Sequence, residues 1–214
     1  MQIDIGNYDF IVFDCDGVIL NSNKLKTSAF RNSLFDYSED KVSEFIKYHQ
    51  NNGGISRYKK FDYFFSQIMK LDDYKDLLQI ALENYENILK NELISCSFVP
   101  GVIEFLGFLR NQKKEIYVNS GSSEDELKKI FKLRNIDKFF DEIKGSPNSK
   151  ESNMNQIVIS RNKNSKGLFF GDSFIDHEVA NNLHIDFIFV SGYSEWNDIP
   201  DGLVTINDFS EINF

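Results

Sequence analysis

The sequence is poor in cysteine and in proline. It contains two cysteines, Cys15 and Cys96, and three prolines among 214 residues. Two cysteines allow at most one bridge, which excludes a small scaffold held together by several disulfides. We expect both thiols to be free, as is usual in a reducing compartment.

Basic residues and long apolar runs are also scarce. The chain has 24 Lys and Arg residues against 33 Asp and Glu residues, a net charge of −9, which disfavours binding to nucleic acid or to an anionic membrane. No segment approaches the roughly 18 consecutive apolar residues of a membrane span, and the first residues lack the basic start and apolar run of a signal peptide. The sequence therefore predicts a soluble, cytoplasmic protein that binds neither nucleic acid nor membrane.

Apolar residues are abundant enough for one large domain, or for a core with a smaller companion, because 41% of the chain is hydrophobic and 14% is aromatic. A first apolar run, Phe10 to Phe13, is followed by helical periodicity up to residue 96. Four helices are predicted, beginning after Ser22, after Ser38, near Ser56 and near Tyr74. No strand is expected in this region.

From Val99 onward the pattern changes to short apolar runs that alternate with helices. Strands are predicted at 115–119, 139–143, 167–170, 186–190 and less clearly at 203–206, and a capping box, Ser123 to Glu126, opens one of the helices. Such alternation is typical of an α/β fold whose parallel sheet is covered on both faces. Because the run Phe10 to Phe13 has the same buried character, we assign it to this sheet, which makes the four helices an insertion.

Polar side chains follow the predicted strands at the points where the strands end. They are Asp14, Asp16, Ser120, Lys150 (between the third and fourth strands), Asp172 and Asp176. Because the carboxyl ends of parallel strands meet at one edge of a sheet, we expect these groups to converge there. Crowded carboxylates repel one another unless a cation is present, and an oxygen-only ligand set favours Mg²⁺.

The order and spacing of these residues resemble the haloacid dehalogenase superfamily of phosphohydrolases over nearly the whole chain. The residues that carry the resemblance are Asp14-x-Asp16, Ser120, Lys150 and Gly171-Asp172-x-x-x-Asp176. The inserted helices resemble the helical cap of the phosphoglycolate phosphatase and beta-phosphoglucomutase branch. The resemblance implies a Rossmann-like three-layer core of residues 1–20 and 97–214, with a cap of residues 21–96.

The resemblance also implies catalytic roles for the first motif. Asp14 resembles the nucleophile that forms an aspartyl-phosphate, and Asp16 resembles the general acid and base. Asp14, the backbone carbonyl of Asp16 and Asp172 would bind Mg²⁺, and Asp176 would orient a metal-bound water.

Two further strand ends would hold the phosphoryl group. Ser120 would donate a hydrogen bond to it, together with backbone N–H groups beside it, such as that of Gly121, although Ser122 or Ser123 could take this role instead. Lys150 would neutralise charge on the phosphate and on Asp14, with Lys144 as the alternative.

The segment NNGGISRYKK of the cap is the candidate for substrate recognition. Gly54 loosens the backbone just before Arg57, which could bind a carboxylate or a second anionic group of the substrate, with Lys59 or Lys60 in support. The alternative is a solvated loop with ordinary charges. Lys26, in the first cap helix, is a second candidate.

The resulting prediction is a Mg²⁺-dependent phosphatase that acts on a small phosphate ester, with a sugar or sugar-acid phosphate favoured. A sugar phosphomutase is an alternative, although beta-phosphoglucomutases carry a histidine where this chain has Lys26. A non-catalytic binding module is the alternative from another class. The oligomeric state, monomer or homodimer, is left open.

Overall fold

A computed structural model describes residues 3–161 and 165–213 of the chain. Its strands are β1 Phe10–Phe13, β2 Glu115–Ser123, β3 Glu142–Ser146, β4 Gly167–Gly171, β5 Asp186–Val190 and β6 Thr205–Ile206. Its α-helices are α1 Asn23–Asn32, α2 Glu39–Asn51, α3 Arg57–Tyr63, α4 Lys75–Ser95, α5 Val102–Asn111, α6 Glu124–Leu133, α7 Lys150–Ile159 and α8 Phe174–Asn182. A π-helical turn, Phe64–Ile68, continues α3.

The strands form one sheet in the order β3-β2-β1-β4-β5-β6, and every neighbouring pair is parallel. The chain order runs outward from β1 in both directions, through β2 to β3 on one side and through β4 to β6 on the other. The topological switch point therefore lies beside β1, which is where open α/β sheets bind ligands.

Both faces of the sheet are covered by helices. Successive side chains of β1 point to opposite faces. Phe13 packs against Phe105 of α5, with ring centroids 6.2 Å apart. Val12, on the other face, belongs to a buried cluster with Met154 of α7 and Val179 of α8. These contacts confirm the predicted three-layer α/β fold.

The regular elements from α1 to α4 are helical, and they interrupt the chain between β1 and β2 as predicted. Aromatic rings form their core: the centroid of Phe30 lies 5.6 Å from that of Phe45 and 5.2 Å from that of Phe61. The inserted helical cap is thereby confirmed, while its limits at residues 21 and 96 remain a prediction. No helix within residues 3–161 and 165–213 is both long and apolar enough to span a membrane.

Two local predictions were wrong. The third strand begins at Glu142 instead of residue 139, because Phe139 ends a 3₁₀ turn and packs on the core. The capping box does not form, since Ser123 makes no side-chain cap and the Glu126 carboxylate contacts Arg57 of the cap. Lys150 lies between the third and fourth strands, as predicted, and is the first residue of α7.

Candidate active site

Three buried carboxylates converge at the carboxyl edge of the sheet. Asp14 follows β1, Asp172 follows the neighbouring β4, and Asp176 lies in the first turn of α8. One oxygen atom from each lies within 4.8 Å of the others. Asp176 is fixed in place because its Oδ2 accepts hydrogen bonds from the hydroxyl and the backbone N–H of Ser173, at 2.6 and 3.2 Å.

Lys150 is buried within this carboxylate cluster. Its Nζ lies 2.9 Å from Asp14 Oδ1 and 2.6 Å from Asp176 Oδ1. Three carboxylates and one ammonium group leave two negative charges, and buried charge of this kind needs compensation. The oxygen-only donor set and this excess of negative charge therefore fit one hard divalent cation.

The electrostatics of the cluster lead to the same conclusion. Burial raises the pKa of Asp14 to about 7, and the Asp176 and Asp16 carboxylates add to this effect while Lys150 opposes it. Burial, followed by the charges of Asp14 and Asp176, also raises the pKa of Asp172 well above its ordinary value. The carboxylates are thus poorly compensated by protein groups alone.

Asp16 is turned away from this cluster toward the cap. Gly17, with φ of +76°, makes the turn after β1 that permits this direction. Asp16 Oδ2 lies 2.5 Å from Lys26 Nζ and accepts a hydrogen bond from Ser122 Oγ at 2.8 Å, and its Oδ1 accepts one from Ser22 Oγ at 2.5 Å. Burial alone would raise the pKa of Asp16, but the Lys26 ammonium and these hydrogen bonds lower it.

The end of β2 brings backbone groups to the site. Gly121 and Ser122 line the cavity under the cap. Ser120 is fully buried, and its hydroxyl accepts a hydrogen bond from the Ser122 N–H at 3.2 Å. Lys144, the alternative to Lys150, is instead bound to Glu142 and Gln156, at 2.8 and 3.0 Å.

The cap loop closes directly onto the core. Gly54 has φ of +81°, and its carbonyl oxygen would lie only 2.2 Å from a Cβ atom on Gly121. A Cβ atom on Gly54 would in turn lie 3.3 Å from Lys150 Nζ. Between cap and core remains a cavity of about 80 Å³. The two glycines therefore permit a backbone contact that no side chain would allow.

The Gly121→Ala substitution is expected to lower kcat/KM for a phosphate ester by about 100-fold, because a displacement of about 1 Å at the site costs this much. Gly107→Ala is the matched control and should retain full activity, because a Cβ atom there would meet no atom within 4 Å beyond the neighbouring backbone of α5. Steady-state kinetics with thermal melts of both variants test this prediction. A wild-type kcat/KM in Gly121→Ala would show that activity does not need the close backbone contact between Gly54 and Gly121.

The cap contributes three basic side chains to the cavity, Lys26, Arg57 and Lys60. The Arg57 guanidinium lies 3.3 Å from the Glu126 carboxylate of α6 and 5.4 Å from the ring centroid of Tyr85. The neighbouring Lys59 is exposed and does not line the cavity.

Sequence reasoning missed Asn23 and Glu195, both of which line the cavity. Asn23 donates hydrogen bonds to Asp172 Oδ2 at 2.5 Å and to the Tyr193 carbonyl at 2.8 Å. Glu195 lies in the loop after β5. The rule that strand ends supply functional groups, applied to β5 as it was to β1 and β4, would have drawn attention to it.

The sequence model of the family described as haloacid dehalogenase-like hydrolases matches residues 11–190. The comparison with curated protein sequences finds no match. The family match confirms the resemblance that was inferred from the motifs.

Solved structures with the same fold cover nearly the whole chain. A predicted phosphoglycolate phosphatase from Haemophilus somnus has a TM-score of 0.75 at 17% identity, with 97% of each chain covered. CbbY from Rhodobacter sphaeroides in complex with xylulose-(1,5)bisphosphate has a TM-score of 0.73 at 13% identity, with 95% of this chain and 96% of that chain covered. YfnB from Bacillus subtilis, bound to magnesium, has a TM-score of 0.69 at 17% identity, with 96% of each chain covered.

Proposed function

The chain belongs to the family of haloacid dehalogenase-like hydrolases, and on this basis we propose that it is a Mg²⁺-dependent phosphatase acting on small phosphate esters. The observation that carries the proposal is the convergence of Asp14, Asp172, Asp176 and Lys150 under a closed cap. This arrangement supplies a nucleophile and positioned charge, which are the main requirements of phosphoryl transfer.

In the first step a carboxylate oxygen of Asp14 attacks phosphorus, and the bond between phosphorus and the ester oxygen breaks. The leaving oxygen takes a proton from Asp16, whose carboxyl group faces the cap side of the cavity. The products are an aspartyl-phosphate on Asp14 and a free alcohol, so one difficult displacement is divided into two easier ones.

In the second step a water molecule attacks the phosphorus of the aspartyl-phosphate and gives its proton to the Asp16 carboxylate. Lys26 lowers the pKa of Asp16 and thus favours the ionised form that this step requires. The protonated form that the first step needs would arise when a phosphate monoanion brings its proton to the site. The bond between Asp14 and phosphorus breaks, inorganic phosphate is released, and the free Asp14 carboxylate is regenerated.

Asp14, Asp172 and the backbone carbonyl of Asp16 would hold the metal ion, with Asp176 orienting a bound water. A divalent cation there would neutralise charge on the phosphoryl oxygens. The magnesium bound to YfnB, a protein of the same fold, supports this choice of metal.

The size and lining of the cavity support a small sugar or sugar-acid phosphate as the substrate. A cavity of about 80 Å³ excludes a macromolecule while the cap is closed. The Haemophilus somnus protein is a predicted phosphoglycolate phosphatase, and CbbY binds a sugar bisphosphate. Arg57 and Lys26 would contact such a substrate from the cap.

Hydrolysis of para-nitrophenyl phosphate tests the proposal. We expect phosphate release with Mg²⁺, and a loss of at least about 100-fold when a chelator removes the metal, since metal charge stabilisation is worth several kcal/mol. Equal rates with and without metal would refute the Mg²⁺ dependence. Conversion of a sugar phosphate into an isomer without phosphate release would favour the mutase. No turnover of a panel of phosphate esters, despite their binding, would favour the binding module.

A further inference from the structure

The three basic side chains that the cap contributes to the cavity differ in their partners. Lys26 is paired with Asp16 at 2.5 Å and Arg57 with Glu126 at 3.3 Å. Within the described part of the chain, no carboxylate oxygen lies within 4.0 Å of Lys60 Nζ. Lys60 is therefore the cap cation that is left without an ionic partner.

Lys60 is nevertheless held in a defined position. It is only 3% exposed, and its Nζ lies 2.7 Å from Nδ1 of His49, 3.4 Å from the His49 carbonyl and 5.5 Å from the ring centroid of Phe30. Burial lowers the pKa of Lys60 to about 7, and the Lys26 ammonium adds to this effect. The more distant Asp16 and Glu195 carboxylates oppose this effect but do not outweigh it.

A hydrogen-bonded chain connects Lys60 to the core. An N–H of Lys60 donates to His49 Nδ1, so the proton of this imidazole is on Nε2, which lies 2.9 Å from Thr27 Oγ1. The Thr27 hydroxyl donates to Glu195 Oε2 at 2.8 Å. Glu195 belongs to the loop after β5, whereas the other three residues belong to the cap. The chain therefore spans the contact between the cap and the core.

We propose that Lys60, oriented by this chain, binds an anionic group of the substrate at the end remote from the phosphoryl group. The substrate is then a small phosphate ester with a second anionic group, either a carboxylate or a second phosphate. Glu195 is a positioning residue for Lys60, to which it is connected through Thr27 and His49.

This inference rests on the proposed phosphatase function and narrows its substrate class. The carboxylates and Lys150 of the core, with a divalent cation, account for the charge of one phosphoryl group. A second anionic group would meet paired cations at Lys26 and Arg57 but an unpaired one at Lys60. A buried ammonium beside an anion forms a short, strong charge-assisted hydrogen bond.

The test compares Lys60→Met with Lys59→Met, which removes the same charge from the exposed neighbouring position. The substrates are two matched pairs. Phosphoglycolate and ethyl phosphate differ by a carboxylate in place of a methyl group, and 1,3-propanediol bisphosphate and propyl phosphate differ by a second phosphate. The two pairs distinguish between the two possible anionic groups.

For wild type we expect kcat/KM at least tenfold higher for the doubly anionic member of one pair. Lys60→Met should abolish this preference, with a loss of about 10- to 100-fold on that compound and less than threefold on its neutral-ended partner. Lys59→Met should keep the preference. If Lys60→Met retains the preference, or loses activity equally on both members of the pair, the inference is wrong.

Binding separates a failure of this inference from a failure of the proposed function. If wild type releases phosphate neither from para-nitrophenyl phosphate nor from any of the four compounds, the phosphatase proposal fails. The rise in melting temperature with each compound at 10 mM then tests Lys60 by itself. A larger rise with the doubly anionic compound, lost in Lys60→Met, would support recognition by Lys60; equal rises in wild type would overturn it.

The positioning role of Glu195 has a separate measurement. Glu195→Gln should raise KM for the doubly anionic substrate several-fold with little change in kcat, and it should add almost nothing to Lys60→Met in the double variant. Asp198→Asn, an exposed change in the same loop, is the control. Additive effects of the two substitutions would refute the connection through Thr27 and His49.

Discussion

Asp14→Asn is expected to lower kcat for phosphate ester hydrolysis by about 10⁴-fold or more, the scale on which loss of a nucleophile acts in other enzymes. An amide cannot attack phosphorus as a carboxylate does, so the first step of the proposed mechanism is lost. The fold should survive, because the amide is nearly isosteric with the carboxylate and one buried charge fewer faces Asp176. The rate is measured with para-nitrophenyl phosphate and Mg²⁺.

Asp73→Asn provides the matched control, because Asp73 is exposed in the loop before α4 and undergoes the same chemical change. It should retain the wild-type rate. A wild-type rate in Asp14→Asn, with circular dichroism and melting temperature unchanged, would refute Asp14 as the nucleophile.

Lys150→Met is expected to destabilise the protein by about 3–5 kcal/mol in metal-free buffer, because it leaves buried carboxylates without their cation. Lys150 lies within 2.9 Å of Asp14 and of Asp176, and its side chain is 1% exposed. Urea unfolding gives the free energy of unfolding. Mg²⁺ should stabilise this variant more than it stabilises wild type, since a bound divalent cation replaces part of the lost positive charge.

Lys166→Met serves as the control for this prediction. Its ion pair with Asp186, at 2.9 Å, is about half exposed, and such pairs contribute only about 0–1 kcal/mol. Equal free energies of unfolding for Lys150→Met and Lys166→Met without metal would contradict this prediction. The ion pairs of Lys150 with Asp14 and Asp176 would then not stabilise the fold more than an exposed pair does.

Much of the fold was predictable from the sequence because short continuous apolar runs and a helical period of 3.6 residues report burial directly. The edge at which Asp14 and Asp172 meet followed from the parallel sheet alone. The strand at 139–143 was misplaced because Phe139 and Phe140 are apolar for a different reason: they cover the core from a turn. Apolar character by itself does not distinguish a strand from a turn that packs on the core.

The details of the cap could not be predicted in the same way. Lys59 and Lys60 are adjacent and identical in the sequence, but only Lys60 points to the cavity, and the phase of a seven-residue helix decides between them. The contact of Glu126 with Arg57 depends on how the cap is seated on the core. Neither arrangement is encoded in local periodicity.

The central position of β1 has a consequence for folding kinetics. Phe10 pairs with Glu115 and with Gly167. The middle of the sheet can therefore form only after segments far apart in the sequence have come together. The inserted helices contact one another within residues 23–95, so their contacts close shorter loops at a smaller entropic cost. The insertion is thus expected to become ordered earlier than the sheet that it interrupts.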